Sequence, residues 1–176
     1  MIGPHGPRPL LITLGLDSAS FEGLDNLRAR YFPPDRNVLN AHVSLFHSLP
    51  PDEEPAIAAT LEAIARSSGP LPLTFGAAFR LGGGFAVRVE SPELAQIHAD
   101  LARAFDPWLT QQDSQPYRPH VTLMNKADRR EAVQAFAEFQ AGWSPRSGVG
   151  ESLLLWRYVG GPWEPVGSFP FGGIGP

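Results

Sequence analysis

Apolar positions along this chain switch between a two-residue rhythm and a rhythm of three to four, the mark of strands interleaved with helices. Leu10 to Leu16 alternates apolar and small residues and predicts a first strand. Asp17 or Ser18 then caps a helix to about Tyr31, with Phe21, Leu24, Leu27 and Tyr31 along one face, and Pro33-Pro34 stops it. Ala41 to Phe46 predicts a second strand. Beyond Pro50-Pro51, an acidic start leads into a helix over Glu54 to Ser67, striped by Ile57, Leu61 and Ile64. Leu71 to Leu81 and Phe85 to Glu90 predict two strands joined by Gly82-Gly83-Gly84, a strong hairpin signal. The competing reading of those glycines, a phosphate-cradling loop, needs a helix directly afterwards, and Phe85 to Val89 is a strand pattern.

Ser91-Pro92-Glu93 pairs a hydroxyl cap with proline at the first helical position and opens a helix to Phe105 or Leu109, with Leu94, Ile97, Leu101 and Phe105 on its apolar face. Tyr117 to Met124 predicts another strand, and Asp128 caps a fourth helix carrying Val133, Phe136 and Phe139. Ser152 to Val159 and Val166 to Phe171 close the chain as a hairpin turned at Gly160-Gly161-Pro162. Apart from the opening strand and helix, the second half repeats the order of the first, which points to an internal structural repeat.

The two halves also share a local motif. His42-Val43-Ser44-Leu45 and His120-Val121-Thr122-Leu123 each read His, apolar, hydroxyl, apolar within a predicted strand. Side chains alternate faces along a strand, so each half offers an imidazole and a hydroxyl on one face while valine and leucine occupy the other. Histidine exchanges protons near neutral pH without special tuning. Two imidazoles facing one phosphodiester supply a base for the attacking oxygen and an acid for the departing one, and Ser44 and Thr122 can donate to the non-bridging oxygens. Neither histidine has a second His or carboxylate two to four residues on, and Cys is absent, so a metal reading is the weaker one and no cofactor is expected.

Composition narrows the partners. At 176 residues the chain has the size of one domain, and its 18 Gly and 19 Pro imply many turns between short elements. A formal charge of −4 argues against tracking along extended nucleic acid, which needs a basic stripe, but allows a terminal or small phosphate in a local pocket. Only Lys126 among the 14 basic residues is lysine. Met1 to Pro9 lacks the apolar run of a leader, and no stretch approaches a membrane span, so a cytoplasmic location is expected. Arg118, in phase with His120, is the first candidate for the cation that steadies a phosphate, and Lys126 the second. For a nucleobase, Phe46 is in phase with His42 and Ser44 and is expected at the cleft mouth, with Tyr117 beside the second motif; Trp156 is expected in the core. His47 is expected at a rim, His98 in packing, and His5 has no assigned role.

Ala41 to Phe46 and Arg118 to Leu123 resemble the paired His-x-(Ser/Thr)-x signatures of the two-histidine (2H) phosphoesterase superfamily, which includes the proteins named 2′-5′ RNA ligase and RNA 2′,3′-cyclic phosphodiesterase. Ser152 to Tyr158, Trp163 to Val166 and Phe169 to Phe171 resemble its closing hairpin, so the likeness spans nearly residues 1–176 as one two-lobed unit. The resemblance implies an α+β fold, a bilobed pseudo-symmetric duplication with two antiparallel sheets flanked by helices around a central cleft. It implies metal-independent opening of a 2′,3′-cyclic phosphate, on an RNA terminus or a small cyclic nucleotide, to a 2′-phosphate, with reverse 2′-5′ ligation possible. Position by position, it makes His42 the proton donor to the leaving oxygen and His120 the base, an order the residues themselves do not fix. A basic residue often directly ends the second motif strand in such proteins; here Asn125 stands there and Lys126 follows. A non-catalytic module binding a nucleotide or 2′-phosphate is the alternative of a different class.

Overall fold

The computed structural model describes residues 3–172; of the opening stretch read above, Met1 and Ile2 lie outside the described residues. In chain order the elements are β1 (Leu10–Leu16), α1 (Ser18–Tyr31), β2 (Val43–Leu49), α2 (Glu54–Arg66), β3 (Leu71–Leu81), β4 (Gly84–Glu90), α3 (Pro92–Ala104), β5 (His120–Met124), α4 (Arg129–Gly142), β6 (Arg146–Arg157) and β7 (Glu164–Pro170). The caps fall where short polar side chains precede apolar stripes. Asp17 accepts from the Ser20 amide (3.0 Å), Ser91 from Leu94 (3.1 Å) and Asp128 from Glu131 (2.9 Å). The glycine turn is a hairpin: Gly82-Gly83 joins β3 to a strand, not a helix, which removes the phosphate-loop reading.

All strand pairs are antiparallel, in the order β2-β1-β6-β3-β4-β5, with β7 added beside β6. The two sheets implied by the resemblance are joined through β6. Its first five residues, Arg146 to Gly150, pair with β3, while Gly150 to Arg157 pair with β1 and Ser152 to Arg157 with β7. This strand starts six residues before the predicted Ser152, because Arg146 to Glu151 carries no apolar alternation and is recruited by backbone pairing. Gly148 makes that approach possible, since a Cβ there would strike the Phe75 ring and the Ser20 hydroxyl.

Alternation along β1 sorts the interior. Leu10, Ile12 and Leu14 are buried with Leu153 and Leu155 of β6, Val43 and Leu45 of β2, and Val121 and Leu123 of β5. Leu24 of α1, Ile57 and Leu61 of α2, Leu94, Ile97 and Leu101 of α3, and Phe139 of α4 complete one continuous apolar cluster. On the opposite face Thr13 pairs with Leu154 and Leu11 with Trp156, and Thr13, Leu154 and Trp156 line a cleft.

The two motif strands lie at opposite ends of the strand order, yet contacts bring them together. The Tyr117 hydroxyl donates to the Ser44 carbonyl of β2 at 2.9 Å, and Arg28 of α1 donates to the Thr122 carbonyl of β5 at 3.0 Å. Both strands begin later than predicted. Pro116 and Pro119 lack the N–H that would continue the ladder, so regular pairing begins at His120, and β2 begins at Val43 with His42 in the extended approach.

Candidate active site

His42 and His120 are held alike. The Nδ1 of His42 lies 2.7 Å from the carbonyl of Asn40, and that of His120 lies 2.8 Å from the carbonyl of Arg118, each two residues upstream. A carbonyl only accepts, so both Nδ1 atoms carry hydrogen and both rings keep Nε2 for chemistry. Each ring also meets an aromatic edge to face: His42 with Trp163 at 4.9 Å between centroids, His120 with Phe79 at 5.8 Å. Ser44 and Thr122 are half-buried two residues along, while Val43, Leu45, Val121 and Leu123 are buried, as the alternation requires.

Two adjoining clefts share His42, Trp163, Val38 and Leu39. One, of about 400 Å³, is walled by Thr13, Phe21, Leu154, Trp156 and Trp163 and is largely apolar and aromatic. The other, of about 330 Å³, is lined by Arg28, Arg36, Lys126, Thr122 and Tyr158, with no carboxylate among its lining residues. Thr122 faces this second cleft, and His120, two residues earlier in β5, projects from the same strand face.

Burial holds the His42 imidazole down at about 4; its bond to Asn40 opposes the shift, and the charges of Arg28, His47 and His120 reinforce it. The ring is therefore neutral in the ligand-free protein at neutral pH. Folding that depresses a histidine is weakened by acid, so the stability linked to His42 is fully present above the ordinary value of 6.5 and is lost as pH falls from there through 4. A phosphate seated at Nε2 favours the imidazolium and raises the value. Ring-resonance titration by NMR checks this: a midpoint near 4 without ligand, moving up with added phosphate, is expected, and a ligand-free midpoint at 6.5 or above contradicts it.

Arg28 was not legible as a site residue. It stands on the α1 face between Leu24 and Tyr31, is only 4 % exposed, donates from Nε to Asn37 (2.8 Å) and lies 4.2 Å over the Phe32 ring. Among the described residues no carboxylate forms an ion pair with it. A buried cation whose nearest partners are carbonyl oxygens is suited to an anion from solvent. Its signal in the sequence was an arginine on a helix face otherwise occupied by apolar residues.

Of the two predicted cations, Lys126 lines the cationic cleft, whereas Arg118 is exposed and lines neither cleft. Lys126 has φ 61°, the one non-glycine residue in the left-handed region among those described. Arg88, directly opposite His120 across β4 and β5 and 4.7 Å over Phe79, is the cation beside the second histidine.

The two base-stacking expectations are corrected. Phe46 is fully buried: between the Ile12–Phe46 and Thr13–Ser44 pairs a bulge inserts Leu45, which breaks the two-residue phase and turns Phe46 into the core against Phe105. Tyr117 packs a ring face on His98 at 3.8 Å, and His98 stacks in turn on Phe46 at 4.7 Å, so both aromatic rings are consumed in a three-ring pile. Burial raises the Tyr117 phenol well above its usual range, leaving its hydroxyl a donor that ties the second motif to Ser44. Tyr117→Phe is expected to cost about 0.5–1.5 kcal/mol in chemical denaturation, with wild-type stability contradicting the strut.

Aromatic surface for a base comes instead from Trp163 and Trp156, both half-exposed in the apolar cleft with centroids 6.2 Å apart. Trp156, expected in the core, points to the cleft because it pairs with Leu11 on the β1 face away from Leu10 and Ile12, and its indole N–H donates to Thr13. His47 is exposed and lines neither cleft; its ring bonds at 2.8 Å to Asp113, whose buried carboxylate also accepts the His47 and Ser48 amides. His5 contacts the Trp108 carbonyl. Among the described residues no three His, Asp or Glu side chains cluster as a metal cage does, and no helix is long and apolar enough to cross a membrane.

The α+β fold brings two His-x-hydroxyl strands together, the arrangement of the two-histidine superfamily that the motifs resemble. Residues 16–162 match the model of the 2′-5′ RNA ligase superfamily, and the chain belongs to that family. No curated protein matches it. Similar solved structures include E. coli LigT complexed with 3′-AMP (19 % identity, TM-score 0.64) and TT0787 of Thermus thermophilus (15 %, TM-score 0.66), each alignment covering 94 % of this chain and 98 % of the other. A structure titled only as a phosphoesterase aligns over the same shares at 18 % identity with TM-score 0.63. At these identities the likeness carries the fold.

Proposed function

We propose that the protein is a metal-independent phosphodiesterase that opens a nucleoside 2′,3′-cyclic phosphate, free or at an RNA end, to a 2′-phosphate, and that 2′-5′ ligation is the same ring opening with a 5′ hydroxyl attacking phosphorus in place of water. The observation that carries this is the matched pair of histidines, each with Nδ1 fixed on a carbonyl and Nε2 left for proton transfer. In the forward direction His120 Nε2 takes a proton from water as its oxygen attacks phosphorus. The P–O3′ bond breaks, and His42 Nε2–H delivers a proton to the departing 3′ oxygen. Ser44 and Thr122 donate to the non-bridging oxygens, and Arg28 supplies positive charge where negative charge grows.

The donor role asks more of His42 than of an ordinary histidine, since it is neutral before substrate arrives. The substrate anion supplies the missing stabilisation, and a weakly basic imidazole, once protonated, is a strong acid toward an alkoxide. Proton uptake should therefore accompany binding of a phosphate ligand near neutral pH.

The reaction is tested by incubating adenosine 2′,3′-cyclic phosphate with the protein in chelator and following ³¹P NMR. Growth of the 2′-phosphate resonance alone is expected. A 3′-phosphate product, or an unchanged cyclic resonance, rejects the proposal.

A further inference from the structure

The cationic cleft holds more positive charge than the proposed reaction needs. A cyclic phosphodiester carries one negative charge, whereas Arg28, Arg36 and Lys126 line this cleft and no Asp or Glu does. Arg28 donates to the Thr122 carbonyl, beside the hydroxyl to which the proposed reaction assigns its phosphate. Arg36 and Lys126 stand apart from it in charge terms: Arg36 has only the exposed Asp35 at 3.9 Å, and Lys126 has no carboxylate within salt-bridge distance among the described residues.

Their arrangement is built. Arg36 donates to the Lys126 carbonyl at 2.7 Å, the Lys126 amide donates to Asn125 Oδ1 at 2.9 Å, and the Ala127 amide donates to the Gly83 carbonyl of the β3–β4 hairpin at 3.1 Å. These bonds hold Lys126 at φ 61°, a conformation that costs a non-glycine residue of order 1 kcal/mol or more and persists only where the surroundings impose it. Gly160 and Gly161, also in the lining, present no side chain, and nothing lies within 4 Å of where a Cβ would be. The opening of about 330 Å³ is on the order of ten times the ~30 Å³ share of a water molecule.

We propose that this cleft is a subsite for a second phosphoryl group, carried on the 5′ oxygen of the nucleoside whose cyclic phosphate is opened, with Arg36 and Lys126 as its ligands. The inference rests on the reaction proposed above. It places the three parts of the substrate: the base against Trp156 and Trp163, the reacting phosphate at His42 and Thr122, the second phosphoryl group beyond them. A 5′-phosphorylated mononucleotide and the last residue of an oligonucleotide both present this chemistry, the first as a monoester and the second as a diester.

The test compares kcat/KM for adenosine 2′,3′-cyclic phosphate with a free 5′ hydroxyl, its 5′-phosphorylated form, and a diadenosine dinucleotide ending in the cyclic phosphate. Calorimetry sets adenosine 2′,5′-bisphosphate against adenosine 2′-phosphate in parallel. At least one 5′-phosphorylated substrate is expected to exceed the first by about tenfold, and the bisphosphate to bind about tenfold tighter, roughly 1.4 kcal/mol. The faster of the two phosphorylated substrates identifies the source. Arg36→Ala and Lys126→Ala should each shrink both ratios. Equal values across the wild-type comparisons, or ratios that survive in both variants, overturn the subsite. If no cyclic phosphate is turned over while the bisphosphate keeps its advantage, the reaction is wrong and the subsite stands. Turnover without any preference removes the subsite alone.

Discussion

His120→Ala and His42→Ala are each expected to lower kcat on a 2′,3′-cyclic phosphate by roughly 10²-fold or more, with a much smaller change in affinity for a 2′-phosphate product. Both imidazoles act in one displacement, so removing either leaves the other without its counterpart, and the double variant should fall little below the weaker single one. Neither ring is part of the buried apolar cluster, so thermal unfolding of the single variants should stay close to the parent. Steady-state kinetics on the three variants checks this. Losses that multiply in the double variant would mean two independent contributions, and a single variant with near-parental kcat would remove that histidine from the chemistry. The same comparison separates the enzyme from a module that only binds, for which both substitutions would act on affinity.

Gly84→Ala is the second large effect, and it acts through the fold. Gly84 opens β4 against the end of β5, and a Cβ there would fall inside the van der Waals shell of the Met124 carbonyl and close to the Asn125 amide. Those are backbone atoms and cannot swing aside as a side chain can. The strand that carries His120 and Thr122 and runs on to Lys126 must move instead. A cost of about 3 kcal/mol is expected, at the upper end for overpacking, with a lowered Tm and impaired turnover. Gly82→Ala, two residues earlier on the same hairpin, meets nothing within 4 Å and is the control, expected within about 0.5 kcal/mol of the parent. Equal Tm values for the two variants would contradict the steric account.

The parts of the fold legible in the sequence were those written in side-chain periodicity: the helices with their Asp17, Ser91 and Asp128 caps, the glycine hairpin, and the two His-x-hydroxyl faces. What failed was set by backbone geometry and tertiary contact. The bulge at Leu45 shifts the strand phase by one residue and sends Phe46 inward, and nothing in Leu45-Phe46-His47 marks it. The first half of β6 has no apolar pattern because its role is to bring its backbone alongside β3. Tyr117 reads as a surface aromatic until its hydroxyl finds a carbonyl from β2. Trp163 did leave a signal, a tryptophan beside a Gly-Gly-Pro turn where no core is available to bury it.

The pH dependence of kcat at saturating cyclic phosphate, measured in chelator, tests the paired-histidine mechanism most directly. At saturation it reports the groups in the enzyme–substrate complex, where His42 must hold a proton and His120 must lack one. The mechanism predicts a bell, falling on the acid side as the base is protonated and on the alkaline side as the acid loses its proton. A kcat that rises monotonically to high pH, or activity that vanishes in chelator and returns with zinc, would contradict it.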